Sequence, residues 1–311
     1  VPVHPLIAAR LPLIADIAPG TPDELLPESA LAFGAPYGEY TPPRASVEEA
    51  TIEGPHGPIR VRIYRADDIE AGGAGARSLL WAHGGSFTGG DLDMPEAHLV
   101  SLEVAARLRG VVVSVEYRLA SETVHHPVPV DDVEAAWLWL LRSAGDLGID
   151  PARAALGGAS AGGFLAASAA LRAVAAGRAP ASVLLAYPAL HFPNPMAEDA
   201  VAAELRALPP MLRFTPGVAL AIFGGYLGRI TDIPSAETPG LADLTGFPPT
   251  RIVVSELDDL RSSGELFARQ LASIGIRAEL TVAEGMLHGH LNIPPAAELP
   301  EIARSLDFLA G

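Results

Sequence analysis

Short runs of β-branched and aliphatic residues alternate along most of the chain with longer segments whose apolar positions recur at helical spacing. Thr51–Ala66 alternates around Gly54-Pro55-His56-Gly57 and predicts a β-hairpin with Ile59, Val61 and Ile63 on one face. A Gly-rich loop follows at Ala71–Ala76. Strands are then predicted over Ser78–Ala82, Val111–Val115, Ala154–Gly157, Ser182–Tyr187, Arg251–Ser255 and Arg277–Ala283. Helices are predicted over Pro95–Arg109, Asp131–Arg142, Ala161–Ala176, Ser263–Ile274 and Ala296–Leu309. Pro95 stands where a helix can start without losing a hydrogen bond, and Gly110 stands just past its end. The valines of Val111–Val115 suit a strand buried on both faces. Such alternation predicts an α/β fold, a mostly parallel sheet with helices on both faces.

Two regions depart from that rhythm. Residues 1–50 are rich in proline with short helical patches such as His4 to Ile17, and read as an arm. Between Tyr187 and Arg251 the sequence is Pro-rich and helical, too long for a structureless loop, and reads as an inserted cap packing on the arm. The expected division is therefore an arm over 1–50, a core over 51–190 and 242–311, and a cap insertion over 191–241.

Composition narrows the chemistry. With 49% of 311 residues apolar, the chain can bury one large core. It has no cysteine, and all its Lys+Arg residues are arginine, so thiol, Schiff-base and serine–lysine chemistries are excluded. A formal net charge of -16 with no arginine cluster argues against nucleic acid. The uncharged stretch from Phe214 to Gly228 is too short to cross a bilayer, which takes about 20 residues. No stable membrane insertion and a cytoplasmic location are expected. No His/Asp/Glu set has metal-ligand spacing, so neither metal nor cofactor is expected.

Gly158-Ala159-Ser160-Ala161-Gly162 fits the nucleophile-elbow pattern Gly-x-Ser-x-Gly and lies between a predicted strand and a predicted helix. That chemistry needs a serine at the tip of a sharp turn, glycines two residues either side, and a following helix whose first N–H groups face the developing oxyanion. His83-Gly84-Gly85-Ser86-Phe87 follows the Ser78–Ala82 strand and supplies candidate backbone donors, Gly84 and Gly85, with Ala161 as a third. His83 reads as structural. An acid and a histidine are expected later in the chain, in that order. Asp258 follows the Arg251–Ser255 strand and His288 follows the Arg277–Ala283 strand, so both can meet Ser160 at the carboxyl edge of a parallel sheet. Asp259, beside Asp258, also reads as an acid at a helix start or on the surface, and His290 competes with His288. His125 and His126 read as surface or structural residues in a Pro-rich loop.

These stretches together resemble the hormone-sensitive-lipase-like esterases of the α/β-hydrolase superfamily, the bacterial family IV carboxylesterases. His83 to Phe87 resembles their oxyanion motif, and Glu116-Tyr117-Arg118-Leu119-Ala120-Ser121-Glu122 a further family segment. Gly158–Gly163 resembles their elbow, Phe247 to Gly264 their acid motif, and Gly285 to Gly289 their histidine motif. The resemblance runs from about Arg60 to the C-terminus. It implies hydrolysis of short- to medium-chain acyl esters of small molecules through an acyl-enzyme, with a helical cap and frequent homodimers. The same triad would serve amides, lactones or thioesters, and a non-catalytic binding protein can share the scaffold. Ala159, Asp259, Ser86 and His290 depart from the family's usual acid or threonine, proline, glycine and phenylalanine. Tyr117, Arg118, Glu122 and Asp132 are expected beneath the oxyanion loop as structural partners. Ser86, Phe87, Phe214, Phe223, Tyr226 and His290 are the candidate substrate-pocket residues.

Overall fold

The computed structural model describes residues 2–21, 25–67, 75–197 and 199–311, so most of the Ala71–Ala76 loop lies outside the described residues. The strands are β1 (Ala45–Gly54), β2 (Gly57–Ala66), β3 (Ala76–Ala82), β4 (Val111–Val115), β5 (Ile149–Ala159), β6 (Ser182–Ala186), β7 (Thr250–Leu257) and β8 (Ala278–Leu287). They form one 8-stranded sheet in the order β1-β2-β4-β3-β5-β6-β7-β8. The hairpin pairs antiparallel with β4, and the strands from β4 to β8 run parallel. The helices are α1 (Pro5–Ala8), α2 (Glu28–Phe33), α3 (Pro95–Leu108), α4 (Val128–Arg142), α5 (Ala144–Leu147), α6 (Ala161–Ala175), α7 (Asp199–Leu205), α8 (Pro216–Leu227), α9 (Arg261–Ser273) and α10 (Pro300–Ala310).

The valine strand shows why the sheet needs cover on both sides. Successive side chains of a strand point to opposite faces. Val111, Val113 and Val115 join the core under α4, α6 and α9, whereas Val112 joins the core under α3 and α10 with Tyr64 and Trp81. All five residues of β4 are buried, so the strand has no exposed face and reads as a run of valines interrupted only by Ser114.

Several element boundaries differ from expectation, among them the start of β5 at Ile149 rather than Ala154, and two have a clear physical reason. The hairpin begins at Ala45 rather than Thr51, because β1 is an edge strand. Its side chains are mostly exposed and include Glu48 and Glu49, so it carries no apolar alternation to read. The closing helix begins at Pro300 rather than Ala296. A proline pushes the residue before it out of the helical region, and Leu299 sits at φ -128, ψ 70.

Residues 191–241 hold α7, α8 and two short 3₁₀ turns, at Pro210–Leu212 and Ser235–Glu237. An aromatic cluster ties α8 to α6 and to the loops that carry Phe87 and Phe192. Tyr226 stacks on Phe87 at 4.1 Å, Phe223 packs against Phe164 at 5.5 Å, and Phe192 stacks on Phe223 at 4.8 Å. The N-terminal arm is anchored on β8, where the His4 N–H donates to the Gly285 carbonyl at 2.9 Å, and its Ile7 shares one buried cluster with Leu205 and Leu208.

Candidate active site

The site forms where three parallel strands end. β5 ends at Ala159, and the chain turns through Ser160 into α6. Ser160 sits at φ 51, ψ -118, a conformation that costs a residue with a side chain about 1–3 kcal/mol. The turn is held by the Ser160 N–H donating to the Ala186 carbonyl at 2.9 Å, and by the Phe164 N–H donating to the Ser160 carbonyl at 3.2 Å. Glycine is required on both sides. A Cβ on Gly158 would lie 2.4 Å from the Gly162 carbonyl oxygen, and one on Gly162 would lie 2.2 Å from the carbonyl oxygens of Ala82 and His83.

β7 ends one residue before Asp258 and β8 one residue before His288. His288 Nε2 lies 2.9 Å from Ser160 Oγ, and His288 Nδ1 lies 2.6 Å from Asp258 Oδ2. The other carboxylate oxygen of Asp258 accepts the Leu260 N–H at 2.9 Å. Asp258 is 1% exposed. Burial disfavours the charged form of His288, but Asp258, its hydrogen bond, Glu96 and Asp259 outweigh it and raise the imidazole pKa above 6.5. The arrangement can take a proton from the serine hydroxyl and hold the resulting imidazolium.

The oxyanion loop is wound tightly. Gly85, Ser86 and Phe87 all have positive φ, at 103°, 54° and 66°. A Cβ on Gly85 would lie 2.1 Å from the Gly89 carbonyl oxygen. His83 and Tyr117 brace the loop from below. Their rings stack at 4.5 Å, and the Tyr117 hydroxyl donates to the His83 carbonyl at 2.8 Å. His83 is fully buried, and its pKa is lowered by that burial, so it is neutral.

The structure corrects the expectation for Gly84. Its N–H donates to Glu96 Oε2 at 2.6 Å and so faces away from an oxyanion. Among the described residues, the N–H groups of Gly85, Ser86 and Ala161 find no protein acceptor. These three are the donors open to an oxyanion.

Glu96, at the start of α3, is the residue that sequence reasoning missed. It is 1% exposed and accepts from the Gly84 N–H, from the Tyr187 hydroxyl, and from Asn292 Nδ2 at 3.3 Å. It thereby joins the oxyanion loop to Asn292, four residues past His288. Burial raises its pKa, and the surrounding donors oppose that shift. An acidic residue at a helix start has an ordinary explanation in the helix dipole, so nothing local marked it.

The remaining candidates divide. Ser86, Phe87, Phe214 and Phe223 line a narrow apolar pocket at Ser160, together with Ile222 and Leu260. Tyr226 lies behind that wall, fully buried against Phe87. His290 does not face the pocket: it is 2% exposed, between Ser255 Oγ at 2.9 Å and Ser305 Oγ at 3.0 Å. Burial, then repulsion from His288, lowers its pKa to about 3. Its departure from the family's phenylalanine is thus answered by two buried serines. Asp132 is buried and holds Arg118 through a 2.6 Å contact and the Arg118 N–H at 2.9 Å, whereas Glu122 is exposed. His125 and His126 meet α8: His125 Nδ1 lies 2.8 Å from the Gly225 carbonyl, and the His126 N–H donates to the Tyr226 carbonyl at 2.7 Å. Among the described residues no cluster of His, Cys, Asp or Glu could hold a metal ion, and no helix is long and apolar enough to cross a membrane.

Known proteins resemble the chain over most of its length. Residues 79–292 match the model of a family described as alpha/beta hydrolase fold. The chain is 34% identical over 290 residues to the carboxylesterase NlhH of Mycobacterium tuberculosis, covering 89% of this chain and 82% of that protein. It is 31% identical over 244 residues to an ethyl acetate hydrolase of Pseudomonas putida, covering 76% and 72%. A hyperthermophilic esterase from the archaeon Pyrobaculum calidifontis superposes with a TM-score of 0.82 at 31% identity, covering 100% of this chain and 97% of that one. The chain therefore belongs to the alpha/beta-hydrolase family, among its hormone-sensitive-lipase-like esterases.

Proposed function

We propose that the chain is a serine carboxylesterase that cleaves acyl esters of small molecules through an acyl-enzyme on Ser160. The observation that carries this reading is the continuous line from Asp258 Oδ2 through His288 to Ser160 Oγ, with contacts of 2.6 and 2.9 Å. Ser160 Oγ attacks the ester carbonyl carbon while His288 Nε2 takes the hydroxyl proton. The carbonyl oxygen becomes an oxyanion within reach of the Gly85, Ser86 and Ala161 N–H groups. When the tetrahedral intermediate collapses, the bond to the alcohol oxygen breaks and His288 returns the proton to that oxygen. Water, deprotonated by His288, then releases the acid and restores Ser160. Asp258 holds the imidazole with Nδ1 protonated, so that Nε2 is the base.

Residues 191–241, with the arm, act as the cap over this site in the same reading. A cytoplasmic location and a homodimer also belong to it; cell fractionation and analytical ultracentrifugation test these two. The reaction is tested with p-nitrophenyl esters from acetate to palmitate. Short esters should turn over, Ser160→Ala should lower kcat by more than about 10⁴-fold, and Asp258→Asn by about 10⁴-fold. Equal turnover by wild type and Ser160→Ala would remove Ser160 from the mechanism.

A further inference from the structure

In the proposed reaction His288 must stay aligned through two states that hold it differently. Before acylation its Nε2 lies 2.9 Å from Ser160 Oγ and its Nδ1 lies 2.6 Å from Asp258 Oδ2. In the acyl-enzyme Ser160 Oγ is an ester oxygen with no proton, so it no longer gives Nε2 a hydrogen bond. Water then adds to the acyl carbon and passes a proton to Nε2. That proton returns to Oγ when the bond from Oγ to the acyl carbon breaks. Through this half of the cycle the imidazole is fixed by Asp258 and by what packs on it. Two aromatic rings do so edge to face, Tyr187 at 4.9 Å and Phe214 at 4.5 Å.

The two rings are secured in unlike ways. Tyr187 directly follows β6 and is fully buried. Its N–H donates to the Val253 carbonyl at 2.6 Å, and its hydroxyl donates to Glu96. Phe214 is only partly buried and lies between the Pro210–Leu212 turn and α8, in neither helix nor strand. Its backbone is held instead by Asp259, the neighbour of the catalytic acid. Asp259 accepts from the Phe214 N–H at 2.7 Å, from Arg213 Nε at 2.8 Å and from Arg213 Nη2 at 3.0 Å. A forked arginine–carboxylate pair fixes orientation as well as distance. Both side chains are largely buried, at 16% and 12% exposure, so salt screens the pair little. The Asp259 carbonyl accepts from Asn194 Nδ2 at 2.7 Å, which ties the start of the same insertion to it. The family's usual proline has no acceptor in its side chain and could not make this clamp.

We infer that Asp259 is a positioning residue for His288: with Arg213 it clamps the chain at Phe214 and so keeps that ring against the imidazole. It touches no reacting atom and acts through Phe214. The cost of losing it falls on proton transfer, and most on deacylation, where Ser160 no longer helps to hold the imidazole. This rests on the esterase reading above and adds a residue to its machinery.

The test is a two-by-two cycle of Asp259→Asn and Phe214→Leu, assayed with p-nitrophenyl acetate on the pH plateau above the acid limb. There His288 is neutral in every variant, so the charge of Asp259, which helps to raise its pKa, does not enter. Rates are counted per fluorophosphonate-reactive site, so misfolded protein does not lower them. Asp259→Asn should lower kcat about tenfold without raising KM, and the burst of p-nitrophenol that marks an accumulating acyl-enzyme should grow. Phe214→Leu should do the same, and adding Asp259→Asn to it should cost less than about twofold more. Arg213→Lys keeps the charge but loses the fork, so it should move kcat the same way by less. A residue that merely shapes the pocket would raise KM and leave kcat unchanged. That result, or an equal loss from Asp259→Asn with and without the Phe214 ring, would overturn the role of Asp259 while leaving the esterase reading in place. Folded wild type that hydrolyses no ester would overturn both.

Discussion

At Glu96 the fold keeps a carboxyl group out of water and surrounds it with donors. The Gly84 N–H and Asn292 Nδ2 can only donate, so they suit the ionised carboxylate rather than the acid. Glu96 is among the charges that raise the His288 pKa. Glu96→Gln puts an NH₂ group where a carboxylate oxygen faced donors, and it removes the charge. The expected result is a fall in kcat of about tenfold with KM little changed, together with a displacement of the acid limb. His288 must be neutral to act as base, and its raised pKa places that limb above 6.5. Without Glu96 the limb should move to lower pH. A pH–rate profile of both proteins measures this, and an unmoved limb would remove Glu96 from the electrostatics of His288. Asp259 shows a second way for one residue to matter, because its effect passes through Arg213 to a ring on the imidazole.

At the level of elements, the site depends on how closely β3, β5 and α6 cross. The helix α6 starts against the end of β3, and the gap there admits only a hydrogen at Gly162. Gly162→Ala should destabilise the protein by about 1–3 kcal/mol, the usual cost of overpacking, read from the midpoint of urea unfolding. An unchanged midpoint would mean that the crossing can open. This same local geometry explains what the sequence disclosed. Ser160, Asp258 and His288 each lie within a residue or two of a strand end, where short motifs and strand patterns coincide. The parallel strands were readable because burial on both faces leaves largely apolar runs such as Val111–Val115. The edge strand β1 carried no such pattern, and its beginning at Ala45 could not be read. Contacts between distant segments were equally invisible. Nothing beside Gly84 in the chain shows that Glu96 takes its N–H, and nothing beside His290 shows the two serines that hold it. The stretch 191–241 was legible as an interruption of the strand–helix rhythm, but the pairing of Arg213 with Asp259 was not.

Across the whole molecule, burial sets how stability responds to acid. His83, His126, His191 and His290 all have pKa values lowered, with burial the largest cause in each. The folded protein keeps them neutral, whereas the unfolded chain protonates them near 6.5. Below that pH the unfolded state binds more protons, so stability falls as pH falls. For His290 the loss runs from about 6.5 down toward its folded value of about 3. Urea unfolding at pH 7.5, 6 and 4.5 should show a steady decline, and His290→Gln should make the slope shallower. A wild-type stability that is flat across this range would contradict the assignment of neutral buried histidines. His288 acts in the opposite sense, since its raised pKa favours the fold at low pH and that contribution is lost as pH rises through the folded value. The sheet brings Ser160, Asp258 and His288 together, and the proposed reaction needs the three to act as one unit. The most direct test is to treat the folded protein with a fluorophosphonate and map the adduct by peptide mass spectrometry. A single phosphonyl group per chain is expected, on Ser160, and its formation should slow by orders of magnitude in His288→Gln. An adduct on another serine, or no adduct on protein shown to be folded, would contradict it.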